Sequence, residues 1–120
     1  MRKLQTTLLA AAAITLAGCE TFKGYQLVSG FSSHPLFLKA VQAGATQADI
    51  LAIQKPQSVM ATRGGSSQCF DYQLEKGGKS TPFYVGYTDS GRVNASGFTH
   101  CSDALKAGYL NSNEIPKQIY

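Results

Sequence analysis

The chain has 120 residues, with 11 Lys and Arg against 7 Asp and Glu, a formal net charge of +4 and three cysteines. That length supports one small domain. The basic residues are scattered and form no Lys/Arg cluster, which excludes the charged footprint of a nucleic-acid binder and predicts no nucleic-acid partner.

The N-terminus reads as a secretory signal. Arg2 and Lys3 form a positive start, Leu8 to Leu16 ("LLAAAAITL") an apolar run, and Ala17 and Gly18 a small-residue end. The run is shorter than the about 20 apolar residues of a membrane span. Leu16-Ala17-Gly18-Cys19 resembles the lipobox of bacterial lipoproteins. The resemblance implies cleavage before Cys19, a diacylglycerol on its sulfur and an acylated new amine. A cysteine thiolate is nucleophilic enough to take the lipid. Glu20 stands where an Asp signals inner-membrane retention in many such proteins, so an outer-membrane anchor with the body in the periplasm is expected. Removing Arg2 and Lys3 would lower the formal charge from +4 to +2. The expected organisation is a signal peptide over 1–18, a tether over 19–33, a domain over 34–110 and a tail over 111–120.

The tether carries Phe22, Tyr25, Leu27, Val28 and Phe31, more apolar residues than a flexible linker uses. A short helix is predicted from Pro35, with Leu36, Phe37, Ala40 and Val41 at helical spacing and Gly44 ending it. A second begins after Thr46, whose side chain can cap it while Asp49 reaches back. Ile50 and Ile53 share a face, and Pro56 stops the helix. The exported context and the scarcity of basic residues argue against DNA binding by this elbow.

The second half alternates. Phe70, Tyr72 and Leu74 form one apolar series, and Phe83, Val85 and Tyr87 another. "EKGGKS" (Glu75 to Ser80) is a hairpin loop, and Asp89-Ser90-Gly91 a turn into a third strand with Val93 and Ala95. A bulge at Ser96-Gly97 would return Phe98 to the apolar face. The predicted fold is α+β: two short helices packed on a three-stranded antiparallel meander. Its other face is expected to be polar, with Tyr84 standing on it as a candidate partner contact; the helical elbow is the alternative contact surface. Ser102 to Leu110 can add a short helix.

No catalytic constellation emerges, and neither a metal nor a cofactor is expected. "GGKS" lacks the earlier glycine of a phosphate-binding loop and is followed by a strand. His100 and Cys101 are adjacent, so on a strand they would face opposite sides. His34 is the only other histidine, which leaves no zinc spacing. Asp49, Asp71, Glu75 and Asp89 read as cap, surface and turn residues.

Cys69 and Cys101 are the disulfide candidates. An oxidising compartment favours a bond. A simple meander opposes it, because Cys101 would lie about 20 Å further along the sheet, whereas a disulfide needs Cα atoms within about 7 Å. The chain folds back after Phe98, the strand order is not simple, or the two cysteines have separate fates.

"VQAGATQADILAIQKP" (Val41 to Pro56) resembles the helical motif of the SmpA/OmlA (BamE-like) lipoprotein family, matching at Gly44, Thr46, Ile50, Ile53 and Pro56. Ala45 stands where the family has Met, and Gln54 where it has a Gly that often turns left-handed. "TRGGSSQCFDYQL" and "YVGYTDSGRVNASGFTHC" resemble the osmotically inducible branch of that family, including both cysteines. The resemblance implies two helices on a three-stranded antiparallel sheet. It also implies a non-enzymatic envelope role under osmotic stress, by contact with a protein partner such as the outer-membrane barrel-assembly machinery. The alternative is a periplasmic inhibitor of a hydrolase such as a lysozyme, inserting the Arg63-Gly64-Gly65-Ser66 loop.

Overall fold

The computed structural model describes residues 30–115. The signal peptide, the lipid site at Cys19, most of the tether and the last five residues lie outside the described residues. From Phe31 onward the chain belongs to one unit.

Helix α1 spans Pro35–Ala40. Pro35 occupies the first turn, where no N–H is needed, and His34 Nδ1 accepts the Leu36 N–H at 3.1 Å. Leu36 and Ala40 are its buried residues. Gly44, at φ +81, makes the left-handed turn that redirects the chain. Helix α2 spans Gln47–Ile53 and starts from a full capping box. Thr46 Oγ1 accepts the Asp49 N–H at 3.2 Å, and Asp49 Oδ2 accepts the Thr46 N–H at 3.1 Å. Gln54 leaves the helix extended, at φ −159 and ψ 141, so its departure from the family's glycine introduces no left-handed strain.

The sheet has four strands where the sequence predicts three: β1 Ser58–Thr62, β2 Ser67–Lys76, β3 Lys79–Tyr87 and β4 Val93–Gly97. All pair antiparallel with their sequence neighbours, in the order β1-β2-β3-β4. The additional strand is an edge, and Ser58, Val59 and Ala61 of "SVMAT" are exposed. An exposed edge strand needs no strong apolar alternation, so its signal is faint. The hairpin loop closes to a two-residue turn at Gly77 and Gly78, φ +58 and +76, the positive pair that a tight hairpin requires. The bulge sits earlier than predicted. Gly86 pairs with Ala95 and Tyr87 with Val93, which leaves Asn94 as the extra residue in place of Ser96-Gly97.

One sheet face carries Phe70, Tyr72, Leu74, Phe83, Val85, Tyr87 and Val93, buried with Leu36, Ala40 and Ile50 of the helices. The Phe98 ring lies 5.3 Å from Phe83, 5.7 Å from Phe37 and 6.2 Å from Phe31. Phe31 is 2% exposed, so the packed body begins before residue 34. The elbow is tied to the β3–β4 turn through the Gln47 N–H on Gly91 O and the Val93 N–H on Ala45 O.

The other face is not polar surface. Helix α3, Cys101–Lys106, crosses it and buries Cys69, Tyr84, Cys101, Ala104 and Leu110, with Met60 and Ala95 against them. The sheet is therefore covered on both faces. Of the segment expected as a loose tail, the described part, 111–115, is held: Arg63 Nη1 and Asn94 Nδ2 both donate to Ser112 O, at 2.9 and 2.8 Å.

Candidate functional site

Cys69 and Cys101 form a disulfide, with Cα atoms 5.9 Å apart and both residues fully buried. The distance objection disappears because the chain folds back after Phe98. Residues 98–100 leave the sheet, and α3 returns Cys101 to Cys69. Closing a loop with a sequence separation of 32 contributes about 4 kcal/mol by the chain-entropy relation.

Asp71 secures the same junction. Its Oδ1 accepts the Cys101 N–H at 2.8 Å, an orphan donor of the first turn of α3, and its Oδ2 accepts the Ser58 hydroxyl at 3.2 Å. One carboxylate thus joins β1, β2 and α3. His100 caps nothing with its side chain, and its Nδ1 lies 4.0 Å from Asp71 Oδ1. His100-Cys101 is therefore a helix start with a disulfide sulfur rather than a nucleophile pair.

Tyr84 is corrected from candidate contact to core. It is 4% exposed, and burial raises the pKa of its phenol, with a smaller effect from Tyr109. Its ring lies over Gly97, where an added Cβ would come within 2.9 Å of Tyr84 Cε1. Strand alternation placed it on the second face correctly, but no local signal says that α3 covers that face.

The alternative of a hydrolase inhibitor requires Arg63 to lie in an inserting loop. Arg63 is instead a clamp, in a left-handed conformation at φ +45. Its guanidinium donates to Ser112 O at 2.9 Å, Asp89 Oδ1 at 2.9 Å, Asn113 Oδ1 at 3.1 Å, Tyr87 O at 3.2 Å and Leu110 O at 3.4 Å. The planar fork of arginine suits such divergent acceptors. Its hydrogen bond holds the Asp89 carboxyl below the ordinary carboxylate pKa. The loop thus stitches β1 to the end of β3 and to the C-terminal segment.

Two further tyrosines are buried on the helix face. Tyr72 donates to Gln54 O at 3.1 Å, and desolvation pushes its pKa up to about 12. Among the described residues the buried Tyr87 hydroxyl has no hydrogen-bond partner, and desolvation first, then Tyr72, raises its pKa. Among the described residues no group of three or more His, Cys, Asp or Glu could hold a metal ion, and no helix is long and apolar enough to cross a membrane.

What the surface does offer is apolar. Helix α2 buries Ile50 but leaves Leu51 43% and Ile53 37% exposed. The sequence puts Ile53 on one face with Ile50, and the structure buries only Ile50 of the two.

No protein-family model matches the chain, and no curated protein does. The fold is similar to the X-ray structure of an osmotically inducible lipoprotein, OsmE, with a TM-score of 0.60 and 33% sequence identity, covering 67% of this chain and 84% of that one. The chain belongs to the OsmE lipoprotein family. OsmE-family membership accords with the lipobox at Leu16 to Cys19, and with the small α+β architecture built above.

Proposed function

We propose that the protein is a lipid-anchored envelope component, held by acyl chains on Cys19 at the periplasmic side of the outer membrane. It acts there by protein contact, without catalysis, in envelope maintenance or osmotic stress. The lipobox and the OsmE lipoprotein relative support the anchor. Each buried methylene contributes about 0.8 kcal/mol, so two or more chains hold the protein without a spanning helix.

The observation that carries the contact reading is the exposure of two large apolar side chains of the elbow, Leu51 and Ile53, one on either flank of buried Ile50. Leu51 and Ile53 sit on a helix anchored at both ends, by the Thr46–Asp49 box and by the Tyr72 bond to Gln54, so they are presented rigidly. Pre-ordered apolar side chains bind at low entropic cost. The elbow replaces Tyr84 as the proposed contact. The Arg63 loop does not present its guanidinium for an inhibitory role, because Nη1 and Nη2 donate internally and Nε is buried.

Cross-linking in living cells, followed by purification of the tagged, lipidated protein from the outer-membrane fraction, tests the reading. A partner captured by the wild type and lost in Leu51→Glu, with membrane recovery unchanged, is the expected result. Barrel-assembly components among the captured proteins would identify the partner as the outer-membrane barrel-assembly machinery. Capture unaffected by Leu51→Glu would remove the elbow from the proposal.

A further inference from the structure

The two edges of the sheet differ. Strand β4 is closed to further pairing along part of its length. Its Val93 N–H is taken by Ala45 O, Arg92 is bridged to Thr46, and Asn94 forms a bulge. The Asn94 side chain also holds the carbonyls of Ser112 and Glu114. These are devices by which sheets blunt an edge.

Strand β1 has none of them. It pairs with β2 in unbroken register from Ser58 to Thr62 and carries no proline and no charge. Among the described residues no strand pairs with its outer side. Val59 is 51% exposed, and Ala61 beside it is exposed as well. Both lie on the helix side of the sheet, because Val59 pairs with Phe70 and Ala61 with Gln68. Met60 pairs with Cys69 and packs on the opposite side.

We infer that β1 pairs antiparallel with β1 of a second copy, making a two-fold dimer whose sheet runs continuously through both chains. A neutral edge is matched by a neutral strand, and β1 supplies one. Centred on Met60, the self-pairing sets Val59 opposite Ala61 of the second copy and Ser58 opposite Thr62. No charge opposes a like charge: Lys55 falls opposite Gly65 and Gln57 opposite Arg63, which is already bonded to Asp89. The blunted β4 edge disfavours head-to-tail pairing, so assembly closes at two copies and does not run on as a fibre. A five-residue edge is a small interface, and the dimer dissociates on dilution.

Sedimentation equilibrium on the mature chain, with Cys19→Ser so that lipid does not drive association, tests this from micromolar to millimolar concentration. The wild type is expected to move from monomer to dimer. V59K and A61E are each expected to stay monomeric, and an equimolar mixture of the two to recover a dimer, because the new charges then face each other across the register. Backbone amides of Ser58–Thr62 should gain hydrogen-exchange protection with concentration in the wild type, a reading that needs no substitution. A wild type that is monomeric throughout, or a dimer that V59K leaves intact, would overturn the inference.

Discussion

Leu110 lies directly on Gly86. A Cβ added at Gly86 would stand 2.5 Å from Leu110 Cδ2, closer than real Cβ contacts allow. The glycine in β3 therefore makes room for the C-terminal segment that closes the second face, and a Cβ there would force the Leu110 side chain to shift. Gly86→Ala should destabilise by about 1–3 kcal/mol through overpacking. Leu110→Ala alone should cost about 2–5 kcal/mol. In urea unfolding the double variant should lose less than the sum, and strict additivity would show that the two residues do not compete for the same space.

Arg63 joins three parts of the chain through one guanidinium. Arg63→Ala should lower stability by about 2 kcal/mol or more, and Arg63→Lys should recover little because an ammonium cannot reach the divergent acceptors. Asp89 reports on the same clamp. Its folded pKa is depressed, so its contribution is present above the unfolded value and fades as pH falls through the folded one. NMR titration should show the Asp89 midpoint rising in Arg63→Ala. An unchanged midpoint would detach Asp89 from Arg63.

The cap on α1 depends on pH. His34 Nδ1 accepts the Leu36 N–H, which requires the neutral ring at that nitrogen. Burial first, and then Lys76, lower its pKa from 6.5. A histidine depressed in the folded state favours folding above its unfolded pKa, and that contribution declines as pH falls from 6.5 through the folded midpoint. The His34 titration should centre below 6.5, and His34→Asn, which keeps a capping acceptor, should remove that part of the pH dependence. A midpoint above the ordinary value would contradict the capped geometry.

The disulfide holds α3 on the sheet. Cys69→Ser with Cys101→Ser should lose about 2–5 kcal/mol. Hydrogen exchange should quicken first in Cys101–Lys106, before the elbow helices. Equal loosening of both sheet faces would mean that they unfold as one unit.

Tyr87 makes the opposite kind of prediction. Its buried hydroxyl has no hydrogen-bond partner among the described residues, so Tyr87→Phe removes an uncompensated polar group and should raise stability by about 1 kcal/mol. A loss of stability in thermal unfolding would show that the hydroxyl does contribute.

The readable features were those with local causes. Thr46 and Asp49 are three residues apart and cap one helix; Gly77-Gly78 permits one tight turn; Phe70, Tyr72 and Leu74 declare a strand by alternation. The edge strand escaped because "SVMAT" leaves Ser58, Val59 and Ala61 exposed at the margin of the sheet. The bulge was misplaced because only the pairing partner decides which β4 residue is extra, and that residue is Asn94.

Sequence by itself determined the Thr46–Asp49 cap, the hairpin, the apolar face, the lipobox and the family resemblance, because each is written in neighbouring residues. The tertiary structure alone decided the fate of the second face. A reversal after Phe98 carries α3 back over the sheet, and that step joined Cys101 to Cys69, buried Tyr84, seated Leu110 on Gly86 and brought Ser112 to Arg63. These contacts link residues distant in sequence. Their formation depends on total burial and chain closure, which no short window of sequence contains.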